Sequence, residues 1–191
     1  MNSWENKLCH IFSSKAHLNQ EELNEFISGW RELKEIKRND FLIRKGQVET
    51  NLYFVLSGTM RIYFPHQDEE ICVGFAYDDN LICSYPSFIR DQPSNYFVQA
   101  LTATKVAAIS KHDFYLLFDR FPKLERAWRL LEEDALIGKI ERETEMLTYT
   151  PEERLQRLID RSPHIFQKIP RKYIASYLRM KPETLSRISA R

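Results

Sequence analysis

Only five glycines and three cysteines occur among the 191 residues, and no apolar run approaches the roughly 18 residues that a bilayer span requires. So few glycines leave no phosphate-cradling loop, and neither G-x-S-x-G nor H-E-x-x-H appears. Cys9, Cys72 and Cys83 form an odd set without C-x-x-C spacing, which argues against a disulfide framework and against an iron–sulfur or other metal site. The five histidines, His10, His17, His66, His112 and His164, are scattered, and only His10 and His17 fall within ten residues of each other. A metalloenzyme would need His and carboxylate ligands clustered on inward-facing strands. The expectation is therefore a protein with no catalytic role and no cofactor. The opening Met1-Asn2-Ser3-Trp4-Glu5 is unlike a signal peptide, so a soluble, cytoplasmic chain without membrane contact is expected.

What the chain does have is an uneven charge distribution. From Lys168 to Arg191 seven basic residues (Lys168, Arg171, Lys172, Arg179, Lys181, Arg187, Arg191) face one acid, Glu183, a net of +6 in a chain whose total is +1. The remainder is thus about −5, and a basic end on an acidic body points to a polyanion such as double-stranded DNA. Within this tail, Pro170 suits a first helical turn, and Tyr173, Ile174, Tyr177 and Leu178 recur as one apolar stripe. Arg179-Met180-Lys181 reads as a turn, and Pro182 restarts a helix in which Leu185 and Ile188 face inward. Glu183, Thr184, Ser186 and Arg187 are left outward, a mixture of acceptor, hydroxyls and guanidinium that base edges in a major groove can use, Arg187 being the best candidate to read a guanine. With Arg171, Lys172 and Lys181 they form the candidate DNA-binding set. The plainer alternative is a solvated helix pair that only caps the molecule.

The body reads differently. Asn19 with Glu22 makes a capping box, opening a helix whose Leu23, Phe26, Ile27 and Trp30 share a face. From Leu33 to about Ser110 the period is two: Phe41–Ile43, Leu52–Leu56, Met60–Phe64 and Ile71–Phe75 are short strands cut by Lys45-Gly46, Ser57-Gly58 and the polar run His66–Glu70. Such spacing argues for an antiparallel roll or barrel. In the connecting segment Asp119–Leu147, Leu124, Trp128, Leu131, Ala135 and Gly138 follow a 4,3,4,3 spacing that wants a partner, either the two-fold mate of this helix or the roll of its own chain. Thr150-Pro151-Glu152-Glu153 then signals a new helix with Leu155, Leu158 and Ile159 inward.

Two sets of residues carry a family resemblance. Ile174-Ala175-Ser176-Tyr177-Leu178 followed by Pro182-Glu183-Thr184-Leu185-Ser186-Arg187 resembles the helix-turn-helix of Crp/Fnr transcription regulators, Glu183, Thr184 and Arg187 matching their R-E-T-x-x-R-like pattern. Gly46, Leu52-Tyr53 and Gly58 sit at the spacing of the G-x(5)-L-Y-x(4)-G signature of cyclic-nucleotide-binding jelly rolls. The resemblance implies an α+β chain: a sensory jelly roll with flanking helices over residues 1–118, a long dimerisation helix over 119–148 and a DNA-binding domain over 149–191. It also implies a homodimer on an inverted-repeat operator. Pro182 departs from the family's Arg, Arg179 from its turn Gly, and no β-hairpin wing follows Ile188, so the resemblance is to short-tailed members or to a chain cut short.

In the family's cyclic-AMP binders a Gly-Glu pair holds the ribose and an Arg-Ser or Arg-Thr pair clamps the cyclic phosphate. Here Cys83-Ser84 and Ser94-Asn95 occupy those places, and Arg90 lies four residues early. The expectation is a regulator controlled by an unidentified small-molecule effector other than cyclic AMP, or by none. Phe75, Cys83, Ser84, Tyr85, Ser94 and Asn95 are the candidate ligand residues, although Phe75, Tyr85, Phe88, Tyr96 and Phe97 could equally fill the roll as core. A regulatory small-molecule-binding protein without specific DNA binding is the alternative.

Overall fold

The computed structural model describes residues 2–189, so Met1 and Arg191, the latter counted above in the basic tail, lie outside the described residues. The chain opens with α1 (Ser3–Ser13) and α2 (Gln20–Ser28). Both begin with capping boxes, Asn2 with Glu5 and Asn19 with Glu22, in which two otherwise orphaned N–H groups of each first turn find acceptors. Strands β1 (Glu32–Ile36), β2 (Phe41–Ile43), β3 (Asn51–Ser57), β4 (Thr59–His66), β5 (Glu69–Tyr77) and β6 (Leu81–Ile82) follow. Next come the short helix α3 (Tyr85–Arg90) and strands β7 (Phe97–Ala100) and β8 (Thr104–Ser110). These strands form two antiparallel four-stranded sheets, ordered β1-β8-β3-β6 and β2-β7-β4-β5, wrapped as a jelly roll. Phe54, Val55, Met60, Val98, Val106 and Ala107 are fully buried in the core around the two sheets, whose facing sides form the inside of the roll. Period-two patterning puts alternate residues of each strand on this inner face.

Two helices then close the roll: α4 (Lys111–Arg120), capped by Ser110, and α5 (Pro122–Thr148), which starts on a proline free of the need for an N–H partner. The first turns of α5 are held to the roll by an aromatic cluster in which Trp128 meets Phe114 edge-on at 5.0 Å and Phe12 at 6.3 Å, and Phe12 meets Phe26 at 4.3 Å. Leu124, Trp128 and Leu131 therefore dock on the roll of their own chain, one of the two partners their spacing left open. Further along, the apolar residues open to solvent are Leu136, Ile137, Ile140 and Leu147, offset from the stripe read in the sequence.

The C-terminal helices α6 (Pro151–Arg161), α7 (Ile165–Lys168), α8 (Arg171–Tyr177) and α9 (Pro182–Ile188) enclose a second core of Leu155, Leu158, Ile165, Ile169, Ile174, Leu178, Leu185 and Ile188. Thr150 caps α6 in a capping box with Glu153. Pro170 stands just before α8 as its cap rather than within its first turn. Leu101 of the roll joins this core, and Phe75 of β5 packs against it, so the second core is shared between roll and tail. The fold is thus an antiparallel jelly roll followed by a long helix and further helices.

The β3–β4 connection turns through Gly58 at φ +105°, where a Cβ would fall 2.5 Å from Thr104 Oγ1 and 2.6 Å from the Ala103 carbonyl oxygen. Gly58→Ala is expected to lower stability by about 2–4 kcal/mol, measured by urea unfolding, since it adds a backbone clash to an unfavourable φ.

Candidate nucleic-acid interface and effector cavity

Helices α8 and α9 are joined by a turn in which Arg179 takes a left-handed conformation, φ 55°. There the N–H of Met180 donates to the Ala175 carbonyl at 3.0 Å and that of Arg179 to the Ser176 carbonyl at 3.1 Å, closing α8. A side chain at positive φ costs roughly 1 kcal/mol relative to glycine, so the turn keeps its shape despite the departure noted in the sequence. Leu185 and Ile188 anchor α9 inward, while Lys181, Glu183, Ser186 and Arg187 are exposed and Thr184 is half-buried. Arg171 and Lys172 are exposed at the start of α8, where Arg171 donates to Ser189 Oγ at 2.7 Å and lies over the Phe166 ring.

The stripe read as wholly internal to the tail splits in two. Ile174 and Leu178 enter the C-terminal core, but Tyr173 and Tyr177 face the roll. The guanidinium of Arg61 lies over the Tyr173 ring and over the Tyr63 ring, 4.1 Å from each centroid. Arg61 is 2 % exposed; its Nε and Nη2 donate to Gln99 Oε1 at 2.9 and 2.6 Å, and Nη2 also donates to Glu70 Oε2 at 2.5 Å. Ser176 bonds the edge of β5, accepting the Cys72 N–H at 2.9 Å and donating to the Glu70 carbonyl at 3.0 Å. Tyr177 meets Phe75 at 5.2 Å, and its carbonyl accepts from Arg142 of α5 at 2.8 Å. Lys168 pairs with Asp78 at 3.0 Å. Sequence reasoning missed this seam; its one visible signal was an arginine in the otherwise apolar run Met60–Phe64.

At the far end of α5, Glu145 is 1 % exposed and receives Arg157 Nε at 2.7 Å and both terminal nitrogens of Arg161, one of them at 2.9 Å. The Arg161 hydrogen bonds first, and then Arg157, hold its carboxyl below the usual carboxylate range. The junction of α5 and α6 is therefore clamped by charge rather than by apolar packing.

Between the roll and α5 lies a cavity of about 290 Å³ lined by Ile62, Val73, Cys83, Ser84, Tyr85, Pro86, Tyr96 and Lys139. Of the candidate ligand residues, the structure brings Cys83, Ser84 and Tyr85 to it. Ser94 lies behind, its hydroxyl 2.6 Å from that of Ser84 and bonded to the main chain of Tyr96, so this serine pair staples the α3 loop. Phe75 sits instead against Tyr177, and Asn95 is exposed outside the cavity. Glu49, which the sequence did not single out, lies buried beneath and accepts the N–H groups of Ser84 and Asn51, both at 3.3 Å; burial pushes its carboxyl up. Burial likewise pushes the Cys83 thiol up, leaving it a neutral wall. Lys139 supplies a cation from α5, its ammonium pKa lowered by crowding among neighbouring atoms and then by Arg142. No arginine lines this cavity, and Arg90 stands at the exposed end of α3 outside it.

Comparison with known proteins meets this geometry. Residues 33–121 match the family model of the cyclic nucleotide-binding domain. Among solved structures, the chain is similar to the Thermus thermophilus catabolite activator protein (18% identity over 94% of this chain and 85% of that one, TM-score 0.60). It is also similar to the c-di-GMP-responsive global regulator CLP of Xanthomonas campestris (17%, 90% and 90%, 0.67) and to FixK2 of Bradyrhizobium japonicum (15%, 83% and 82%, 0.70). A sequence comparison with curated proteins found no match. The model match covers the roll and α4, just under half of the chain, and the likeness to the solved structures is one of fold. Among the described residues no helix is long and apolar enough to cross a membrane, and no three His, Cys, Asp or Glu side chains gather as a metal site.

Isothermal calorimetry with cyclic AMP is expected to show no binding tighter than about 100 μM; a micromolar Kd would contradict the loss of the clamp. A carboxylate whose folded pKa is depressed stabilises the fold above its unfolded value and loses that contribution as pH falls through the folded value. Glu145→Gln is therefore expected to cost about 2 kcal/mol at neutral pH and to flatten the stability loss that the native chain shows as pH drops below about 4.5, followed by urea unfolding across pH.

Proposed function

We propose that the chain is a DNA-binding transcription regulator of the Crp/Fnr type, acting as a homodimer on an inverted-repeat operator in the cytoplasm and controlled by an effector other than cyclic AMP or by none. The observation that carries this reading is the α8–turn–α9 pair. It presents Lys181, Glu183, Ser186 and Arg187 to solvent on the basic end of a Crp-like fold. On this reading residues 149–191 are a helix-turn-helix domain, Arg187 and Glu183 read base edges, and Arg171, Lys172 and Lys181 take phosphates.

The exposed apolar residues Leu136, Ile137, Ile140 and Leu147 support a two-fold partner for the second half of α5, because a monomer would leave them in water. Gly138 lies among them with open space before it, which suits close approach of a second helix. Two recognition helices about 34 Å apart then require half-sites one helical turn apart. The cavity under Lys139 is the place for an effector, with Cys83, Ser84 and Tyr85 on its wall.

Sequencing of sheared genomic DNA retained by the purified protein at near-physiological salt is expected to yield an enriched inverted repeat. On that repeat Arg187→Ala should lose discrimination at one base pair by about 1–3 kcal/mol, whereas Lys172→Ala should weaken all duplexes alike and reduce the salt slope by about one. Equal loss from both, without a change in selectivity, would remove the assignment of base readout to α9.

A further inference from the structure

β5 is the outer strand of its sheet, and an outer strand carries main-chain groups with no strand to pair with. Here the hydroxyl of Ser176 takes the place of a neighbouring strand, bonding both the Cys72 N–H and the Glu70 carbonyl. The carboxylate-bearing residues Glu69 and Glu70 of the same hairpin form one wall of an open crevice of about 440 Å³, whose other wall is Lys172, Ser176, Arg179, Met180, Lys181 and Pro182. That wall belongs to the surface assigned above to phosphate contact. We propose that this docked arrangement is a self-inhibited one, in which the acidic β4–β5 hairpin holds α8 and competes with duplex DNA for the basic face of the C-terminal helices. The proposal rests on the DNA-binding reading.

Charge sets the competition. Phosphates arriving at Lys172 and Lys181 come within a Debye length, about 8 Å at physiological salt, of Glu69 and Glu70, so the two occupants disfavour each other. Undocking exposes Leu101, Phe75 and Tyr177 to water and breaks the Lys168–Asp78 pair, a loss that duplex binding must offset, whereas the polar contacts at Arg61 and the β5 edge add little to it. When α8 leaves, Arg61 keeps Tyr63, Gln99 and Glu70, all on the roll, and gives up only the Tyr173 ring. The Cys72 N–H and Glu70 carbonyl then turn to water, a small net change for hydrogen bonds at an exposed edge. The polar groups of the β5 edge thus have partners in either state, in the docked one from Ser176 and in the free one from water.

The effector cavity reaches the same seam by two routes. Val73, on the cavity wall, adjoins Cys72 at the bulge where β5 slips register against Ile62 and Tyr63, so filling the cavity acts on the strand that Ser176 grips. Lys139, on another wall, lies one helical turn before Arg142, which holds the Tyr177 carbonyl.

The test uses the full chain and a fluorescein-labelled mixed-sequence duplex of about 30 base pairs at about 50 mM salt, where phosphate contacts dominate. Glu69→Gln with Glu70→Gln is expected to bind this duplex about five- to tenfold more tightly than a control of equal charge change, Glu21→Gln with Glu35→Gln, on distant exposed positions. Hydrogen exchange at the Cys72 amide should quicken in Ser176→Ala and in the native chain saturated with duplex. Equal affinity of hairpin and control variants, or a Cys72 amide that stays protected at saturation, would overturn self-inhibition while leaving DNA binding intact. No duplex binding by any variant, the hairpin-neutralised one included, would instead overturn the DNA-binding reading and this inference with it.

Discussion

A guanidinium removed from water must find partners for its charge and its donors; Arg61 finds them for Nε and Nη2, while its Nη1 is buried without a hydrogen-bond partner where the roll and the C-terminal helices come together. Three of its neighbours, Tyr63, Gln99 and Glu70, lie on the roll, and the fourth, Tyr173, lies on α8. The planar cation lies against two tyrosine rings while donating to Gln99 and Glu70, which the compact ammonium of a lysine could not do with the same geometry. Its position sets where α8 rests, and through α8 it sets the placement of the turn and of α9. Ser176 on β5, Tyr177 on Phe75 and Lys168 on Asp78 follow along the same line.

Helix α5 works as a strut between two kinds of attachment. At its start Trp128 is held by rings from α1 and α4, an apolar joint that resists rotation because the interior is close-packed. At its end Glu145 is held by two arginines of α6, a joint made of directional charge-assisted bonds. Between the joints the helix carries Lys139 over the cavity, Arg142 on α8, and the solvent-exposed Leu136, Ile137 and Ile140. One element therefore touches the cavity, the C-terminal helices and the surface proposed for a second copy.

Much of the fold was legible because its signals are local. Asn19 with Glu22 and Thr150 with Glu153 announced helix starts that the structure shows as capping boxes, and period-two runs marked β2 to β5 within a residue or two. Helix α1 and helix α4 went unread, although both bury a clear apolar face, since no breaker separates α4 from the strand before it. The apolar stripe of α5 was visible but its partner was not: spacing says that a face is buried, not against what.

The sequence by itself determined the local elements, the roll and the basic end, because each depends on residues near one another in the chain. Only tertiary structure decided that Phe75 serves the C-terminal core instead of the cavity, that Lys139 enters the cavity wall, and that Ser176 completes the edge of β5. Those contacts join residues as far apart as Cys72 and Ser176, 104 positions along the chain, and no local pattern encodes such a pairing. It arises when two separately folded surfaces meet and each buried polar group must find a partner on the other.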